Sequence, residues 1–81
     1  MTYLQHISQA MLKMGDEDRP GALAEFQLAL AEARSVDAGG PREGEVLNYL
    51  AIFHEQGGEA AEAARCAAAA SAIFLKFQEL S

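Results

Sequence analysis

The sequence predicts an all-α chain of four helices, folded as two antiparallel helix hairpins. Three observations carry this. Apolar residues recur at spacings of three and four along most of the chain, the signature of one helical face. Glycine and proline cluster at three points and cut that pattern into four lengths. No segment alternates apolar and polar residues as a half-buried strand would, and no Asn-Gly turn is present.

The first helix is expected from about Thr2 to Met14. Leu4, Ile7, Met11 and Met14 form one face, widened by Tyr3, Ala10 and Leu12, and Gly15 is placed to end the helix in a left-handed conformation. Asp16-Glu17-Asp18 then forms a loop. Asp18 can accept from unpaired amides and Pro20 is tolerated in a first turn, so the second helix runs from about Arg19 to Val36. Its apolar positions are Leu23, Phe26, Leu30 and Ala33, flanked by Ala22 and Ala29. Asp37-Ala38-Gly39-Gly40 breaks the chain, and Pro41 opens a third helix reaching about Gln56, with large residues at Leu47, Leu50 and His54. Gly44 weakens its first turn. After Gly57-Gly58 the fourth helix starts near Glu59 and runs to about Glu79. Its first half is nearly all alanine, whereas its second carries Ile73, Phe74, Leu75, Phe77 and Leu80.

Eighty-one residues make a single domain, 1–81. A chain of this length buries only about 60% of its unfolded surface, and alanine contributes little area to its core. A thin core gives a motive to associate. Six Lys and Arg against twelve Asp and Glu leave a net charge of −6, which disfavours nucleic acid and anionic membranes as partners. Acidity of this kind keeps a protein soluble. The one cysteine, Cys66, has no intrachain partner and is expected to be a small apolar residue within its helix. No apolar run approaches the length of a membrane span, and no basic stretch leads into an apolar one at the start. A cytoplasmic protein is the expectation.

The two halves are similar to each other. Leu4, Ile7, Ser8, Met11 and Gly15 align with Leu47, Leu50, Ala51, His54 and Gly58. Ala22, Phe26, Ala29 and Leu30 align with Ala63, Ala67, Ala70 and Ser71, once two extra residues are allowed in the first turn. The period is about 41 to 43 residues, with one copy spanning about 2–36 and the next about 41–80. Within a copy, a helix with large residues turns back onto one with small residues, as Leu47, Leu50 and His54 do onto Ala60, Ala63, Ala67 and Ala70.

Asn48-Tyr49-Leu50-Ala51, Gly58-Glu59 and Glu62-Ala63, with Gly40-Pro41 ahead of them, resemble a tetratricopeptide repeat in the longer version of kinesin light chains. Pro20-Gly21-Ala22-Leu23-Ala24-Glu25-Phe26 resembles the corresponding part of a first copy. Ala67 and Ser71 depart from the family, which usually carries an aromatic and an aliphatic residue there. The resemblance implies a right-handed α-solenoid-like stack of two repeats that binds other proteins. It implies a partner-binding groove lined by the first helix of each copy: Gln5, His6, Gln9 and Lys13, then Asn48, Tyr49, Ile52 and Gln56. Side-chain amides and an aromatic suit an extended peptide, whose backbone they can hydrogen-bond. Lys13 is the only basic residue of this set, so a carboxylate clamp is not expected.

The fourth helix is expected to outrun its neighbour and to self-associate through Ile73, Phe74, Phe77 and Leu80, most simply as a twofold homodimer. Nothing in the chain points to catalysis. His6 and His54 lack further ligands at metal-binding spacing. Gly39-Gly40 precedes no phosphate-binding Lys-Ser or Lys-Thr, and no nucleophile stands with a base. The expectation is therefore a non-enzymatic interaction module with no cofactor, no metal, no nucleic acid and no membrane, whose partner is a protein or peptide. The alternatives are a structural dimerisation or assembly module, and a four-helix bundle binding a small apolar ligand.

Overall fold

A computed structural model describes residues 2–80, of Leu80 its backbone only. It holds four helices, α1 (Tyr3–Gly15), α2 (Arg19–Asp37), α3 (Pro41–Gln56) and α4 (Ala60–Leu80), and no strand among the described residues.

Local chemistry sets each boundary. Thr2 and Gln5 form a reciprocal cap on α1: the Gln5 amide donates to Thr2 Oγ1 at 3.3 Å and the Thr2 amide to Gln5 Oε1 at 2.8 Å. Asp18 caps α2, its Oδ1 accepting from the Gly21 amide at 3.0 Å, with Pro20 in the first turn. Gly40 stands before α3 without a side-chain cap, and Pro41 supplies the helical φ of the first position.

The α1–α2 and α3–α4 connections close with the same pair of backbone bonds. In the first, the amides of Glu17 and Asp18 donate to the carbonyls of Met14 and Lys13. In the second, Gly58 and Glu59 donate to Glu55 and His54. This pair of bonds is the Schellman motif, which turns on one left-handed residue. The motif corrects the alignment drawn from sequence. Each connection is three residues long, so the first turn has no two-residue insertion. The left-handed position in the first turn is Glu17, at φ 61°, and not Gly15; Gly58, at φ 74°, fills it in the second.

Consecutive helices pack on one another, α1 on α2, α2 on α3 and α3 on α4, while α1 and α4 share no packed interface among the described residues. The molecule measures 40 × 29 × 14 Å, a thin slab. Its core comprises Ile7 and Ala10 of α1, Ala22, Phe26, Ala29 and Ala33 of α2, Val46, Leu47, Leu50 and Phe53 of α3, and Ala70 of α4. Phe26 lies at its centre. The Phe53 ring meets it edge-on at 5.8 Å and Tyr49 stacks on it at 6.4 Å.

On α1 the buried face differs from the expected one. Leu4 and Met11 are half exposed, and Tyr3, Ile7, Ala10 and Met14 turn inward. The two stripes share Ile7 and Met14, so periodicity alone cannot choose between them. Ala10 is preferred over Met11 because a small residue lets α1 approach the alanines of α2 closely.

A non-glycine residue in the left-handed region costs about 1 kcal/mol. Glu17→Gly should therefore raise stability by about that much, or roughly 4–8 °C in melting temperature for a domain of this size. Gly58→Ala should lose a similar amount. Thermal melts of the two variants check both, and an unchanged midpoint for Glu17→Gly would contradict the turn geometry.

Candidate partner-binding surfaces

Contacts between helices divide the molecule into two ends. At one end Tyr3 Oη donates to Glu45 at 3.1 Å, Arg34 pairs with Glu43 at 3.2 Å, and the α4 residues Ile73 and Phe74 lie against Gly44. At the other, Arg19 donates through Nη2 to Glu59 at 2.7 Å and through Nη1 to the Phe53 carbonyl at 3.4 Å. Its guanidinium also sits 4.1 Å over the Phe53 ring. Gly57 leaves room for that guanidinium, which occupies the space a Cβ there would need. His54 Nδ1 lies 3.0 Å from the same Glu59 oxygen. The hydrogen bond from His54, with Arg19 beside it, holds the Glu59 carboxyl below its ordinary 4.5. Glu43 is held below that value too, chiefly by the Gly39 amide and then by Arg34.

The eight residues expected to line a groove are placed unequally. Gln5, Gln9, Asn48, Ile52 and Gln56 are exposed. His6, Lys13 and Tyr49 are half-buried. Tyr49 spends its ring on Phe26. His6 turns toward α2, where its buried Nδ1 lies 3.7 Å from Glu25 Oε1 and forms no hydrogen bond. Gln5 is engaged in the α1 cap. The accessible part of the face therefore consists of Gln9 on α1 and Asn48, Ile52 and Gln56 on α3.

The α4 end is less bare than expected. Phe74 is half-buried, and it packs on Gly44 rather than projecting past α3. Ile73 is half-buried beside it. Phe77, at 42% exposure, and Leu75, at 59%, carry the accessible apolar surface. The Leu80 side chain lies outside the described residues. Cys66 is half-buried on the α3 side, and burial pushes its thiol above the usual value.

Three features had no clear signal in sequence. Gly44 appears there as a weak point of a first turn, but its missing Cβ is the seat of the Phe74 ring. Phe53 reads as one apolar residue among several, yet it joins Phe26 to Arg19. The third is an open cavity of about 420 Å³ among Thr2, Tyr3, Leu4, Glu32, Val36 and Arg42. Its walls come from three helices, so no local motif announces it.

A Cβ at position 44 would stand 2.9 Å from Phe74 Cζ and 3.3 Å from Ile73 Cγ2. In an open helix Gly→Ala gains about 1 kcal/mol. Here that gain should be absent in the wild-type background and return in Phe74→Ala, a coupling of about 1 kcal/mol in a double-mutant cycle of urea denaturation. Additive effects would mean that Gly44 is not the seat of Phe74. In comparisons with known proteins, no family model, no curated protein and no solved structure matches this chain.

Proposed function

We propose that the chain is a non-enzymatic protein–protein interaction module of tetratricopeptide-repeat type, two antiparallel helix hairpins stacked in a right-handed solenoid-like arrangement. The observation that carries this is the repeated turn: identical Schellman bonding recurs 41 residues apart, at Asp18 and Glu59. Sequential packing and a thickness of 14 Å also favour an open stack over a closed bundle. The cavity bounded by Thr2–Leu4, Glu32, Val36 and Arg42 lies open at one end of the slab, between helices that already pack together, which favours a protein partner over an enclosed apolar ligand.

In this proposal the module works in the cytoplasm and has two surfaces. One is the exposed α1/α3 face, where Gln9, Asn48 and Gln56 supply amides and Ile52, 51% exposed, supplies an apolar anchor for an extended peptide. The other is the α4 end, which takes a second copy of the chain. A purely structural dimerisation role is the second reading, favoured by the exposure of Leu75 and Phe77 on a single helix end.

Selection from a library of extended peptides, followed by calorimetry, tests the first surface. Selected peptides should lose about tenfold or more in affinity to Ile52→Asp. They should be indifferent to Leu28→Asp, an equally exposed apolar position on α2. No selected peptide, or equal sensitivity to both changes, would contradict the groove and leave the dimerisation role.

A further inference from the structure

Building on self-association through α4, we propose where the second copy is received: the end of α4 from one chain docks in the cavity bounded by Thr2–Leu4, Glu32, Val36 and Arg42 of its partner, and the exchange is reciprocal. The cavity and the α4 end lie at the same end of the molecule. Tyr3 reaches Glu45, Arg34 reaches Glu43, and Phe74 lies on Gly44. A twofold axis beyond that end therefore brings each tail to the other copy's cavity.

The two surfaces match in chemistry. The cavity holds about 420 Å³, room for a large apolar side chain, and its apolar walls are exposed, Leu4 at 52% and Val36 at 60%. Glu32 and Arg42 stand beside those walls. One face of the α4 end carries Leu75, 59% exposed, with Glu79 one turn on and Lys76 beside it. Each surface thus has an apolar centre, one cation and one anion. Docking sets Lys76 against Glu32 and Glu79 against Arg42, each pair made twice.

Ion pairing inside the chain leaves these groups available. Of the six Lys and Arg side chains, Arg19, Arg34 and Arg65 sit in salt bridges with Glu59, Glu43 and Glu62. Lys13, Arg42 and Lys76 sit in no salt bridge among the described residues; Arg42 stands by the Tyr3 hydroxyl with no carboxylate paired to it, and it and Lys76 flank this contact. At the opposite end the charges of Arg19 and Glu59 already satisfy each other.

Sedimentation equilibrium of the full chain from about 1 µM to about 1 mM is the test, with circular dichroism to verify that each variant folds. The wild type should dimerise. Val36→Asp, at an exposed position outside the core, should weaken the dimer about tenfold. Arg42→Glu should weaken it about fivefold, and adding Glu79→Lys to Arg42→Glu should restore it. A wild type that stays monomeric throughout would overturn both this docking and self-association itself. A dimer abolished by Phe77→Asp but unmoved by Val36→Asp and Arg42→Glu would overturn the cavity docking alone and leave α4 pairing by another face.

Discussion

The burial of Phe26 against Tyr49 and Phe53 is the interaction on which the rest of this structure depends. The first two helices and the last two are each joined along their lengths, but α2 on α3 is the one extensive interface between those halves among the described residues. Phe26 is 1% exposed at that interface and Phe53 is 2% exposed. Arg19 lies over Phe53, bonds its carbonyl and reaches Glu59 just before α4. One aromatic cluster therefore fixes α2 to α3 and, through a single guanidinium, fixes the start of α2 to the start of α4. Buried aromatic contacts of this kind supply a large share of the apolar area in so small a core.

The same junction explains why the chain has surfaces to offer. Residue 67 stands 41 residues after Phe26, at the corresponding place in α4, and it is an exposed alanine. Ser71 follows Leu30 by the same interval and is likewise exposed, whereas Leu30 is half-buried. Helix α2 is thus covered on two sides and α4 on one. Leu4 and Met11 remain half exposed on a face of α1 that no other described helix covers. Helices that pack only on their neighbours in sequence leave apolar surface on the first and the last of them.

How much of this was readable from the residues depends on how local the cause is. Helix boundaries were, since Thr2, Asp18, Pro20 and Pro41 act on the turn in which they sit. The α2 core was, because Ala22, Phe26, Ala29 and Ala33 fall on one unambiguous stripe. The α1 face was not, because two overlapping stripes satisfy the same spacing. Nor was the left-handed turn residue: Gly15 is the residue that prefers that conformation, but hydrogen bonding to Lys13 and Met14 places it at Glu17. For the eight residues expected to line a groove, only exposure can be compared. Exposure of Gln9, Asn48, Ile52 and Gln56 follows from helical phase, while the inward turn of His6 and the engagement of Tyr49 depend on partners in α2. The cavity at the other end arises from three helices meeting and had no sequence pattern of its own.

Residue-resolved native-state hydrogen exchange tests the central claim, that two helix pairs are held together at Phe26, most directly. Protection should be highest in α2 and α3, around Phe26 and between Val46 and Phe53, and should fall toward α1 and the second half of α4. The slowest exchange in α1 and α4, with α2 and α3 less protected, would contradict a structure joined at that junction.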